Sequence, residues 1–289
     1  MGAENEQFTS SENISPLDVA KIKEQFDVDL MDFENVKDRI IMTVSGSRKP
    51  ETADMAAVRP YKTIEDMTFF YSVTVSQAHD ELLLIPVTNE VLREWEITPD
   101  DFIKFADQTV PLTHPYTFQG MSEVLADSLG VTSEELTDGK PEVMFVVTND
   151  LRCKGAGVLG YPGIFDEISD KLGGDYFVLP SSIHEFLAVV DNGQFKPEDM
   201  EDMVVDVNSS VVAPKDRLTD HAYHYDAQAK LFEEVHEYDN RKEHEAAKKD
   251  KTEIENNDEQ QIVANGYPDL RVNGVLGCSV EGLNMQMLF

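Results

Sequence analysis

The sequence predicts an α+β fold of antiparallel hairpins packed against helices. Three observations carry that expectation. Runs of apolar, β-branched and aromatic residues come in pairs separated by short polar turns, as hairpins require. Helical segments follow these pairs instead of bridging single strands, which argues against a doubly wound parallel sheet. One order of elements, a hairpin, a helix and a helix opened by proline and two acids, occurs twice, with ITPDDFIKFADQTVPLTHP echoed by FKPEDMEDMVVDVNSSVVAP. The expectation is therefore one α+β domain over residues 17–230 containing a degenerate internal hairpin-helix duplication, with sub-units at about 65–130 and 140–230.

Composition narrows the class. At 289 residues with 41% hydrophobic content, the chain can bury a sizeable core. Its 56 acidic residues against 24 basic ones give a formal charge of −32, so phosphates are repelled over most of the surface and direct nucleic-acid binding is not expected. The acids are scattered through amphipathic elements, which fits solubility better than a regular double row imitating DNA. Cys153 and Cys278 lie far apart with no CxxC partner, which provides neither a disulfide framework nor a zinc site and suits a reducing compartment. There is no basic, apolar leader and no run of ~18–20 apolar residues, so a cytoplasmic protein without a membrane partner is expected. Glu6 stands where a myristoylation signal needs Ser or Thr.

Taken in order, residues 1–16 are polar and aperiodic and read as a disordered arm. Pro16 suits a first helical turn, and Leu17, Ala20, Ile22 and Phe26 form an amphipathic stripe. In 32–44, Val36, Ile40 and Ile41 sit at helical spacing, while the β-branched end suits a strand equally; the spacing favours a helix. Residues 45–67 look like loop. A strand at 68–75 and its return at 82–85 make the first hairpin. Thr88 caps a helix running to Trp95, and Thr98-Pro99-Asp100-Asp101 opens another with a hydroxyl cap, a first-turn proline and acids at the positive end of the helix dipole. A helix at 121–129 follows.

In the second unit, 143–148 is a strand, 149–154 a turn, 156–159 a returning strand and 163–172 a helix with Ile164, Phe165 and Ile168 on one side. Short strands at 176–179 and 186–190 precede the helix opened by Lys196-Pro197-Glu198-Asp199. Periodicity suggests a longer helix over 220–238. Residues 231–261 are rich in mixed charge, a solvated helix or linker, and 262–289 form a small apolar tail with Gly266, Gly274, Gly277 and Gly282.

The candidate chemistry concentrates in Pro180-Ser181-Ser182-Ile183-His184-Glu185, where two hydroxyls, an imidazole and a carboxylate follow a strand. Ser181, Ser182, His184 and Glu185 are the catalytic candidates. No GxSxG elbow accompanies the serines, and His184-Glu185 lacks the second histidine of a zinc-protease helix because position 188 is Ala188. A bland role therefore competes with a catalytic one: the serines satisfy loop backbone and His184 hydrogen-bonds beneath a helix. Gly155, Gly157 and Gly160 satisfy GxGxxG, but Val158, Leu159, Tyr161 and Pro162 intervene before the helix and no ribose-binding acid follows, so no nucleotide cofactor is expected. His221 and His224 sit three apart beside Asp220, Tyr223 and Tyr225; two imidazoles lack a third ligand, so no metal is expected and aromatic packing is the plainer role.

The chain over residues 36–232 resembles an uncharacterised domain-of-unknown-function family of anaerobic gut bacteria (Firmicutes), often encoded near mobile elements. The matching pieces are RPYKTIEDMTFFYSV, NEVLREWEI with Trp95, MFVVTNDLRCKGAGVLGYPGIFDEISDKLG, PSSIHE, MVVDVNSSVV and RLTDHAYHYD. Members of that family usually carry an additional N-terminal region, which this chain replaces with a short polar arm. The resemblance implies relatives and no reaction. Polar and aromatic side chains within the matching segments are the binding candidates: Asn149, Tyr161, Asn208, Asp220, His221, Tyr223, His224 and Tyr225.

The functional expectation is a non-catalytic binding or regulatory module, associated with a mobile element, whose partner is a protein with a basic surface. The alternative is a hydrolase using His184 as base with Glu185, Asp220 or His224 in support.

Overall fold

The computed structural model describes residues 16–78 and 81–248. The chain divides into two compact units, Met1–Arg241 and Lys242–Phe289. The fold below is that of the first. Apart from Pro16, the expected arm at 1–16 lies outside the described residues, as does the apolar tail at 262–289.

Helix α1 (Pro16–Phe26) is followed by a single turn, α2 (Phe33–Val36), whose cap Asp32 accepts from the Glu34 N–H at 3.1 Å. After a 3-10 turn over Lys37–Arg39 the chain enters β1 (Ile40–Gly46), a strand where helical spacing had favoured a helix. The reason is burial on both faces. Ile40, Met42 and Val44 point into the main core while Ile41 is buried on the other side, so Ile40–Met42 is a continuous apolar run that also satisfies a helical period.

The stretch expected as loop, 45–67, contains α3 (Pro50–Val58), with Pro50 in its first turn, and β2 (Tyr61–Ile64). Then comes β3 (Met67–Ala78), the spine of a four-stranded antiparallel sheet. Along one side β3 pairs with β1, Ile40 opposite Val73 and Gly46 opposite Met67. Its other side is shared end to end by β2 and by β4 (Glu81–Pro86), with an irregularity between Thr74 and Ser76 where the register shifts. Met67, Phe69, Tyr71, Val73 and Val75 alternate into the core at the period of a strand. The opposite face carries Phe70, covered by the Arg59 guanidinium 4.8 Å above its ring.

Helix α4 (Asn89–Glu94) starts where Thr88 Oγ1 accepts from the Val91 N–H at 3.2 Å. Trp95 ends it, donating from Nε1 to the Leu30 carbonyl at 3.0 Å and packing on Phe33 and Phe102. In α5 (Pro99–Thr113) the expected cap is realised by Thr98, which accepts from the Asp101 N–H at 3.2 Å.

The second sheet has six strands, all antiparallel: β5 (Tyr116–Gly120), β6 (Met144–Asn149), β7 (Tyr176–Leu179), β8 (Phe186–Val190), β9 (Tyr223–Asp226) and β10 (Leu231–Glu234), in the order β10-β9-β7-β8-β6-β5. Helices α6 (Met121–Leu129) and α7 (Ser133–Thr137) connect β5 to β6, and α8 (Ile164–Leu172) precedes β7. Helix α9 (Pro197–Ser210) covers one face, with Met200 and Val204, one turn apart, packed with Phe177, Leu179 and Val189.

Four further expectations are corrected here. Residues 156–159 are not a returning strand: Gly155–Gly160 is a buried 3-10 segment wedged between the sheets, where an added Cβ on Gly157 would stand 2.0 Å from the Met42 carbonyl oxygen of β1. With that strand gone, the second hairpin of the internal duplication disappears; β6 pairs instead with β5 and β8. The helix expected over 220–238 is the β9–β10 hairpin, continued as helix only from residue 235. Its turn is set by Asp226, whose Oδ1 accepts from the N–H groups of Gln228 (3.1 Å) and Ala229 (2.8 Å), with Lys230 at φ 56°. Because β10 belongs to the sheet, the fold continues past residue 230.

Candidate functional site

The segment after β7 is zipped to residues 216–218. The Ile183 N–H donates to the Asp216 carbonyl at 2.9 Å, the Leu218 N–H donates to the Ser181 carbonyl at 3.0 Å, and Ser182 forms a β-bridge with Arg217. This pairing fixes the catalytic candidates. Ser182 is 5% exposed, and its Oγ accepts from the His184 N–H at 2.9 Å, a local serine turn. The His184 ring, 30% exposed, receives the Lys154 N–H on Nδ1 at 3.3 Å and places Nε2 3.4 Å from Asp216 Oδ1. Since a backbone N–H only donates, Nδ1 accepts, the ring proton lies on Nε2, and neither nitrogen presents a free lone pair to a substrate.

Burial pushes the Glu185 carboxyl up, opposed by His184 and by a hydrogen bond from Ser182. Burial also lowers the ammonium of Lys154, opposed by Asp216. Asp220 and His224, the other supports of a hydrolase, are engaged elsewhere: Asp220 Oδ1 accepts from Asn208 Nδ2 at 2.7 Å, and His224 Nε2 lies 3.0 Å from Asp191 Oδ2.

The remaining binding candidates divide between structural duty and a second cluster. Asn149 caps the 150–154 loop, donating from Nδ2 to the Cys153 carbonyl at 3.0 Å and accepting from the Cys153 N–H at 3.3 Å. Tyr161 donates to the His114 carbonyl at 2.9 Å. Asn208 holds the Thr219 carbonyl at 2.8 Å as well as Asp220. Tyr225 donates to Asp166. His224 is fully buried, stacked on Tyr238 with ring centroids 3.7 Å apart. His221 and His224, expected on one helix, lie before and within β9 and serve different neighbours.

His221 and Tyr223 lead to the arrangement with the richest chemistry. Arg48, in the turn after β1 and 63% exposed, reaches three acceptors at once. Its Nη1 donates to His221 Nε2 at 2.7 Å, its Nη2 donates to Glu234 Oε1 at 2.9 Å, and its Nε lies 3.5 Å from Asp66 Oδ2. Asp66, in the turn between β2 and β3, also accepts from the Tyr223 hydroxyl and from Thr219 Oγ1 at 3.2 Å. Burial, then the bond to Asp66, pushes the Tyr223 hydroxyl up, so it stays a donor at neutral pH. Behind the imidazole, His221 Nδ1 is 3.2 Å from Glu201 Oε1 on α9. Glu65 is pushed up by burial first and then by the neighbouring acids Glu237, Glu234 and Asp66.

Alongside lies a cleft of about 410 Å³ lined by Arg48, Lys49, Asp66, Arg217, Thr219 and His221. Lys49 closes one side by donating from Nζ to the Arg217 carbonyl. The socket thus joins the two sheets through residues far apart in sequence. Arg48, Asp66, Glu201, Glu234 and Asp216 escape sequence reading because each is an ordinary turn or surface charge until folding assembles it.

A family model for a family of unknown function, DUF5688, matches residues 10–227. The chain belongs to this family. The match includes the Asp66, Glu201 and His221 positions and ends before Glu234. Neither a curated protein nor a solved structure matches the chain. Among the described residues no helix is long and apolar enough to cross a membrane.

Proposed function

We propose that this family member is a non-catalytic binding module of the cytoplasm that engages a basic protein partner, with the Asp66–His221–Glu234 socket as its anchor point. The observation that carries the reading is the chain's own Arg48, an exposed guanidinium held by three acceptors from three separate elements. A socket that seats one guanidinium has the spacing and charge to seat another, because bidentate and convergent acceptors suit that planar fork. The formal charge of −32 adds long-range attraction for a basic surface. A hydrolytic reading gains nothing from His184, whose two ring nitrogens are both engaged.

The test is capture of partners from cell extract by wild-type protein and by Glu234→Gln at low and at high salt. The module reading expects partners that are retained at low salt, lost as salt rises and reduced by Glu234→Gln. Recovery of no salt-sensitive partner contradicts it.

A further inference from the structure

We propose that the same socket is a binding site for a divalent first-row transition cation, with Arg48 as the resident stand-in. The inference needs the socket's geometry but not a protein partner.

Asp66, His221 and Glu234 each offer one ligand atom, and these atoms lie within 4.8 Å of one another. The imidazole adds direction. A guanidinium has no lone pair, so the contact at 2.7 Å makes His221 Nε2 the acceptor and puts the ring proton on Nδ1, facing Glu201. The unprotonated nitrogen a metal would use therefore faces the guanidinium that Asp66 and Glu234 also hold, while Nδ1 lies 3.9 Å from Glu234 Oε2. The carboxylate behind it, Glu201, is the partner that metal-bound histidines characteristically have, and Asp66 is itself held by Tyr223 and Thr219.

Charge supplies a further observation. Two carboxylates, Asp66 and Glu234, hold the guanidinium of Arg48, while Glu201 Oε1 lies 3.2 Å from both His221 Nδ1 and His236 Nε2, and its Oε2 is buried without a hydrogen-bond partner among the described residues. A divalent ion compensates this arrangement better than one arginine. Arg48 hangs from a turn and is 63% exposed, so it can leave without disturbing the core. The donor atoms would then contract to edges of roughly 3.3 Å, as ligand distances near 2.0–2.2 Å require. One imidazole with carboxylates suits zinc or manganese; calcium, which takes oxygen ligands, fits less well.

The experiment is calorimetric titration of the chelator-treated full chain with zinc, with calcium as control. Wild type is expected to show one zinc site, Arg48→Ala to bind at least about 10-fold tighter, and His221→Ala and Glu234→Gln to bind at least about 10-fold more weakly. Thermal melts identify any variant that fails to fold, and in wild type the His221 Nε2 resonance should shift on adding zinc. Absence of saturable binding in both wild type and Arg48→Ala overturns the inference, as does wild-type binding by a folded His221→Ala, or an unmoved His221 resonance. Zinc binding without a salt-sensitive partner would contradict the module reading alone, and the converse the metal site alone.

Discussion

Arg48 Nη1 donates to His221 Nε2 at 2.7 Å, and this contact decides the tautomer of a histidine shared between two acids and an arginine. The ring proton belongs on Nδ1 beside Glu201. Nitrogen-15 spectra of histidine-labelled protein should show His221 with an unprotonated Nε2 and a protonated Nδ1. A protonated Nε2 would break the socket as described.

Tyr223 ties β9 of the six-stranded sheet to the Asp66 turn of the four-stranded one. Tyr223→Phe removes a buried donor to a charged acceptor and should destabilise the fold by about 1.5–3 kcal/mol in urea unfolding. A change near zero would mean that Asp66 is satisfied without it.

Gly155 has no room for a side chain. A Cβ there would stand 1.9 Å from Thr148 Oγ1, 2.6 Å from the Asn149 nitrogen and 2.7 Å from the His184 carbonyl oxygen. Gly155→Ala should therefore destabilise by about 1–3 kcal/mol or more. Gly174→Ala, where nothing lies within 4 Å, should stay within about 0.5 kcal/mol of wild type. Equal effects at the two positions would contradict the close packing of the 3-10 segment.

Burial raises the Glu185 carboxyl above its ordinary value of 4.5. Between the ordinary and the raised value, the folded chain holds a proton that the unfolded chain has lost, so stability falls as pH rises through that window. Glu185→Gln should remove this decline and be more stable relative to wild type at pH 7 than at pH 4. Unfolding curves at the two pH values check it, and an unchanged difference would contradict the direction.

Much of the fold is legible in local chemistry. The caps at Thr88 and Thr98, the hairpin of β3 and β4, and the helix at 164–172 all follow from side chains acting on their nearest neighbours. What escapes is set at a distance. Ile40 to Val44 reads as helix because both faces are buried, and the Asp226 turn hides a hairpin in a stretch of helical spacing. Candidates chosen by residue type fare unevenly. Ser182 and His184 lie together but serve the loop they stand in, whereas His221 and Tyr223 reach a cluster completed by Arg48, Asp66, Glu201 and Glu234. No spacing rule links positions 48, 66, 201 and 234, because only the pairing of β9 with β10, the packing of α9 on the sheet and the docking of the two sheets bring them together.

In the proposed reading the Asp66–His221–Glu234 socket recognises a cationic group, and Arg48 occupies it in the free chain. Titrating an arginine-containing basic peptide into wild type, Arg48→Ala and the Arg48→Ala/Glu234→Gln pair, at low and at high salt, tests it most directly. Arg48→Ala should bind more tightly than wild type, lose that gain when Glu234→Gln is added, and, like the other proteins, bind more weakly as salt rises. Equal affinity of wild type and Arg48→Ala, or a gain that survives Glu234→Gln, would contradict it.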